Sequence, residues 1–449
     1  MVQIENLIEK TPSFKQITAD LQPKNHQLIT GISGSARTEL LSALSKEGQQ
    51  PILVVTDTIS HMQELASDLE NLLPANRVYQ FPVEEVLAAE VATSSPNYRL
   101  QRVLALNALI NREPTVVVAS AAGLRRNIIS PEYFAQSSLK IKTGGEVDPA
   151  KIRQQLSAMG YQYQKMVLRP GDFAIRGSII DIYALNTDNP VRIDLFDKEV
   201  DSLRYFDAST QRSIDNVEEV QILPATDFII PATEFSRVYE ALDTEYKKVV
   251  KELSADDADI KQQVANRFEP LLNALKNQHL PNELLEFSNL VYPAKHSLFD
   301  YLPDDGTIYF DDLTRIKQFA KQMTQEDVGW FKDKVAHHQL ADVADLSNDV
   351  STIIKKDLHP QIYGALFKKG LGNIKLSQIT DLKSRTMQRF FGQMPLLKAE
   401  LQRWIDQGQT VVLMANSPER RKQIAQTLAD FDITATETEL TNIKPNVVQ

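Results

Sequence analysis

Residues 169–215 read RPGDFAIRGSIIDIYALNTDNPVRIDLFDKEVDSLRYFDASTQRSID. Three runs rich in Ile, Val and aromatics, Phe173–Tyr183, Val191–Phe196 and Val200–Phe206, are separated by the turn clusters Asn186–Pro190 and Asp197–Glu199. Such runs, bounded by Asn, Asp, Pro and Gly, predict an antiparallel meander. In the second run Val191, Ile193 and Leu195 point one way, and Arg192, Asp194 and Phe196 point the other. The first set is a core face. The second carries a large aromatic beside an arginine, the composition of a protein–protein hot spot. A covering helix accounts for the phenylalanine equally well, so both readings stand at this point.

The chain around this stretch has 449 residues, which predicts about three domains. A net charge of −10 argues against coating DNA non-specifically, although it leaves room for a small local basic site. There is no cysteine, so disulfides, thiolate metal sites and a cysteine nucleophile are excluded. That suits a reducing cytoplasm, the expected location. The first residues are polar, without the apolar core of a signal peptide, and no run is long enough to span a bilayer. No membrane partner is expected. The adjacent pair His337-His338 reads as a solvated helix face, and no metal site is assigned.

Residues 1–22 predict a helix with Leu7, Phe14, Ile17 and Leu21 on its apolar stripe. The strand His26–Thr30 then leads into Gly31-Ile-Ser-Gly34-Ser35-Ala36-Arg37-Thr38 and a helix, the context of a phosphate-binding loop. The spacing is that of GxxxxGKS/T, but Ala36 stands where the second glycine is required and Arg37 where the lysine is. The glycine lets backbone N–H groups approach phosphates, and the lysine is a compact point charge; a Cβ and a longer planar guanidinium serve both tasks badly. The loop can hold an anion weakly, but no ATP hydrolysis is expected, and this region is assigned no catalytic residue and no cofactor.

Strands continue to alternate with helices through Thr115–Ser120, which predicts a doubly wound sheet over residues 1–126. An α+β insert follows over 127–222, with a helix Asp148–Met159 before the meander. Residues 223–345 are read as a return to the first domain: a charged helical tract, then Leu298–Asp312 as two strands around a turn. The second of these ends in Asp311-Asp312, acids that in a working NTPase hold Mg²⁺; beside a degraded loop they are read as solvated. Residues 346–449 are read as a small third α/β domain, with a helix Arg385–Gln407, a strand Thr410–Ala415 and a helix capped by Ser417.

The stretches GDFAIRGSIIDIY (171–183) and PVRIDLFDKEVDSLRYFD (190–207) closely resemble the module shared by the excision-repair helicase UvrB and the transcription-repair coupling factor (Mfd) family. The order of parts matches as well, over essentially the whole chain. The resemblance implies an α/β fold: a RecA-like doubly wound sheet with an inserted α+β antiparallel-meander domain, followed by a small α/β domain. UvrB has an intact phosphate loop and a long aromatic-rich hairpin that grips DNA. Here the corresponding stretch, Phe81–Ser95, has one aromatic and three glutamates, so it is poorly suited to stack bases or pair with phosphates. Both departures resemble the UvrB-like N-terminal part of the coupling factors.

In that family the inserted domain binds UvrA, and the contacting positions carry over to Arg176, Arg192 and Phe196. Strand parity independently puts Arg192 and Phe196 on one face, about 13 Å apart. The resemblance further implies that the full-length protein meets RNA polymerase and double-stranded DNA through other domains, drives a motor with ATP and Mg²⁺, and masks the UvrA-binding face with a C-terminal domain. Two other functions remain open at this stage: an ATP-dependent helicase of UvrB type, and a structural spacer in which Phe196 is buried.

Overall fold

The computed structural model describes residues 8–74, 76–86, 95–254, 257–341, 347–368, 370–384, 390, 392–413, 415, 417–436 and 448. The chain opens with β1 (His26–Thr30), β2 (Ile52–Thr56), β3 (Val78–Phe81) and β4 (Val116–Ser120). The insert supplies β5 (Leu139–Lys142), β6 (Gln162–Tyr163), β7 (Asp172–Arg176), β8 (Ile179–Ile182), β9 (Val191–Phe196), β10 (Glu199–Phe206), β11 (Ser213–Val217) and β12 (Glu219–Ile222). The chain then adds β13 (Thr307–Asp311), β14 (Gln361–Gly364) and β15 (Gln378–Asp381).

Seven strands form one parallel sheet in the order β15-β1-β14-β13-β2-β4-β3. Successive residues of its central strands feed two different cores. Leu53, Val55, Val117, Ala119, Ile308 and Phe310 pack on one side. Ile52, Val54, Val116, Val118 and Tyr309 pack on the other. A sheet buried on both faces explains why β2 and β4 are continuous apolar runs rather than alternating ones. The helices Pro12–Ala19, Ser35–Gly48 and Ile59–Glu70 contribute to the second core, and Pro96–Ile110, Phe235–Lys251, Ala258–Lys276 and Leu313–Ala336 to the first.

The fold is the expected α/β class with an inserted α+β unit, and several local expectations are corrected. The sheet takes in β14 and β15, which lie beyond the boundary expected near residue 345. Neither is an apolar run; β14 is Gln-Ile-Tyr-Gly, and a Cβ on Gly364 would lie 2.0 Å from the Tyr309 hydroxyl. Leu298–Tyr301 is a helical turn, not a strand, because Ser297 and Asp300 form a reciprocal capping box. Thr410–Ala415 forms no ladder among its described residues, only an isolated bridge from Val411 to Val448. Ser417 caps the helix Pro418–Asp430 as expected, and the helix before it spans Met394–Asp406. The described first helix is Pro12–Ala19, with Phe14 and Ile17 buried; Leu7 lies outside the described residues, as do 385–389.

The insert is a six-stranded sheet, β11-β10-β9-β8-β7-β6, antiparallel except for β6 on β7. The run Phe173–Tyr183 is not one strand. Gly177, at φ +62, and Ser178 turn it into a two-residue hairpin in which Arg176 pairs with Ile179. One face packs Phe173, Ile180, Ile193 and Leu203 against Ile152 and Leu156 of the helix Pro149–Ala158. The chain leaves and re-enters side by side, since β5 and β12 pair antiparallel. Just outside this ribbon, buried Asp227 is held by Arg126 Nε at 2.9 Å and makes an ion pair with buried Arg102 at 2.9 Å.

Candidate functional site

The inward face of the meander fixes the outward one. Each of Val191, Ile193 and Leu195 contributes roughly 1.5–3 kcal/mol on burial, and a one-residue slip would turn all three to solvent. Arg192, Asp194 and Phe196 are thereby set on the opposite face, together with Arg176 and Asp181, which the register places there.

At the near end of this face Asp181 is 1% exposed and stands directly opposite Arg192. Arg192 donates to it twice, from Nε at 2.7 Å and from Nη2 at 2.9 Å. Arg176 forms an ion pair with the same carboxylate. Arg192 also donates to Gln211 Oε1 at 3.2 Å, and its guanidinium lies 4.3 Å over the Phe206 ring. Phe206 is buried with Val167 and Ala174 in a small second core. The hydrogen bonds to Asp181 raise the Arg192 guanidinium pKa still further above its ordinary value. In the middle of the face, Arg204 pairs with Asp194 at 2.5 Å.

At the far end Phe196 is 79% exposed. It pairs across the hairpin with Glu199, beside a turn in which Asp197 takes φ +57. No helix covers it. Of the three positions expected to meet a partner, Phe196 and Arg176 are therefore accessible, while Arg192 is mostly enclosed. Asp181 was missed by sequence reasoning: alternation with Ile180 and Ile182 marks it as an outward polar residue but does not show that it is buried beneath two arginines.

The phosphate-type loop has a different geometry. Gly31 takes φ +63 and Gly34, at φ +55, precedes the helix that starts at Ser35; Ala36 is half-buried and Thr38 is buried. The Gly31 N–H donates to Leu366 O at 3.1 Å, and the Gly31 carbonyl accepts from Ser384 N at 2.9 Å. A Cβ on Gly31 would lie 2.7 Å from Asp381 Oδ1, so the segment after β15 closes over the loop. Arg37 forms an ion pair with Asp311. Asp311 is therefore not simply solvated, as expected from sequence. Burial raises its carboxyl pKa above the usual range, although Arg37 opposes the shift. The loop and the acid that in a working NTPase meet across a nucleotide here meet each other. Among the described residues, no group of three or more His, Asp or Glu is placed to hold a metal ion, and no helix is long and apolar enough to cross a membrane.

Residues 139–228 match the family model of the UvrB interaction domain. This interval contains the whole outward face. Along its full length the chain is 34% identical to a transcription-repair-coupling factor of Bacillus subtilis, covering 38% of that relative. It is 26% identical to the factor of the same name in Staphylococcus aureus, over 96% of the chain and 37% of the relative. The chain is thus similar, from end to end, to a part of these transcription-repair-coupling factors, and its insert to the UvrB interaction domain. It spans well under half the length of the coupling factors it matches.

Proposed function

We propose that this chain is the recruitment module of a transcription-repair-coupling factor, and that the outward face of β7–β9 binds UvrA. The observation that carries this reading is Phe196, a large aromatic left 79% exposed at the end of a strand whose neighbours are tightly paired. Aromatic and arginine side chains together are the usual anchors of a protein interface. A buried ring would have favoured a spacer with no partner. The module thereby serves transcription-coupled nucleotide excision repair in the bacterial cytoplasm, bringing the excision machinery to a stalled RNA polymerase. Polymerase binding, movement on double-stranded DNA and ATP hydrolysis with Mg²⁺ belong to other parts of the full-length protein.

The region itself is not an enzyme in this reading, and not a UvrB-type helicase. The Gly31 N–H is already bonded to Leu366, and Arg37 is already bonded to Asp311, so two of the groups a nucleotide phosphate needs are occupied by the chain. Co-purification of UvrA with the 449-residue chain tests the proposal. Absence of any complex at micromolar concentrations of both proteins would overturn it.

A further inference from the structure

Two arginines and one carboxylate meet on the outward face, and the carboxylate is the buried member. A carboxylate that is 1% exposed needs full compensation. Arg192 supplies most of it. Nε and one Nη are bonded to Asp181, that same Nη is bonded to Gln211, and the guanidinium face rests on Phe206. Only 14% of the Arg192 side chain is exposed. Arg176 differs. It projects from the hairpin next to Gly177, with 44% of its side chain exposed. One of its Nη atoms meets Asp181, and the other lies 3.5 Å from the Lys165 carbonyl. A guanidinium has five N–H donors, so Arg176 keeps donors that face solvent.

We infer that Asp181 is the positioning residue of this face and that it divides the work of the arginines: Arg192 is held as a fixed part of the surface, and Arg176 is presented to an acidic group on the partner. The inference rests on the proposed docking of UvrA and deepens it. Two guanidinium charges around one carboxylate leave a local excess of one positive charge. The adjacent Arg204–Asp194 pair is neutral and does not cancel it. A partner carboxylate placed against Arg176 completes the set with charge-assisted hydrogen bonds. Phe196, farther along the same face, then supplies the apolar anchor.

The test uses the full chain and purified UvrA, titrated at low and high salt, with circular dichroism to confirm folding of each variant. Asp181→Asn keeps the shape and removes the charge. It is expected to weaken binding at least about tenfold. The effect is expected to run through Arg192, so that Asp181→Asn added to Arg192→Ala causes little further loss. Arg176→Ala should weaken binding and flatten its salt dependence, whereas Arg176→Lys should keep the salt dependence. Wild-type affinity in Asp181→Asn, or an unchanged salt dependence in Arg176→Ala, overturns the inference. A second readout separates it from the docking proposal. The Arg192 Nε–H signal of ¹⁵N-arginine-labelled chain should exchange slowly with solvent in the wild type and rapidly in Asp181→Asn. If wild type fails to bind UvrA, the docking proposal falls and takes the interface role of Asp181 with it. If instead UvrA binds but the signal is unaffected by Asp181→Asn, the positioning claim alone fails.

Discussion

Asp181 and Arg192 stand opposite each other on adjacent antiparallel strands, and both oxygens of the carboxylate are engaged, at 2.7 and 2.9 Å. The pair ties β8 to β9 on the side of the sheet away from the main core. It also holds the guanidinium over the Phe206 ring. The outward face is therefore built on a fixed ion pair, with Phe196 as the most exposed large apolar group among the described residues.

Breaking this pair from one side should be costly. Asp181→Ala leaves Arg192 mostly enclosed without its carboxylate and is expected to destabilise the insert by about 3–5 kcal/mol. Hydrogen exchange of the β8 and β9 amides checks this, because the insert can open locally without unfolding the parallel sheet. Unchanged protection of those amides would show that the pair contributes little.

Phe196→Ala should behave in the opposite way. The ring is exposed, so its removal is expected to change stability by no more than about 0.5 kcal/mol. Thermal melting of the variant should overlay that of the wild type, which makes Phe196→Ala a clean probe of binding. A marked drop in melting temperature would mean that the ring is packed in solution.

Acid should loosen the root of the insert. Burial disfavours the Asp227 carboxylate, but the charges of Arg102 and Arg126 outweigh it and hold the pKa at about 2. Because the folded value is depressed, the stabilisation is complete above the ordinary carboxylate range, near pH 3.9, and is lost as pH falls from there through about 2. The amount is on the order of 2 kcal/mol. Denaturation midpoints measured from pH 5 to 2 should fall more steeply for wild type than for Asp227→Asn, which is expected to be weaker throughout because Arg102 and Arg126 lose their partner. Parallel pH curves would contradict this.

Much of the architecture was legible in the sequence, and the failures have identifiable causes. β2, β4 and β13 announce themselves as apolar runs because both faces of the sheet are covered. β9 announces its two faces because only one of them is packed on the main core. β14 and β15 were not recognised as strands of this sheet because neither is an apolar run: Gln361 and Gly364 bracket Ile362 and Tyr363 in the first, and the second reads Gln-Ile-Thr-Asp. The hairpin at Gly177 was hidden because Ile175 and Ile180 both face the core on either side of it, so the run reads as continuous. The outward positions of Arg192 and Phe196 followed from parity alone. The role of Asp181 did not, since it depends on a register that only the turn at Gly177 and Ser178 defines.

The phosphate-type loop offers a separate check. A fluorescent ATP analogue titrated into the chain should show no saturable signal, since Arg37 and the Gly31 N–H are already engaged. Saturable binding that disappears in Arg37→Ala would restore a nucleotide to this region.

The most direct measurement is the affinity of the full chain for purified UvrA, wild type against Arg176→Ala with Phe196→Ala. Two anchors of this kind together should contribute roughly 2–4 kcal/mol or more, so the double variant is expected to bind about 30-fold to 1,000-fold more weakly, or not at all. If the double variant binds UvrA as tightly as the wild type, the outward face of the meander is not the docking surface.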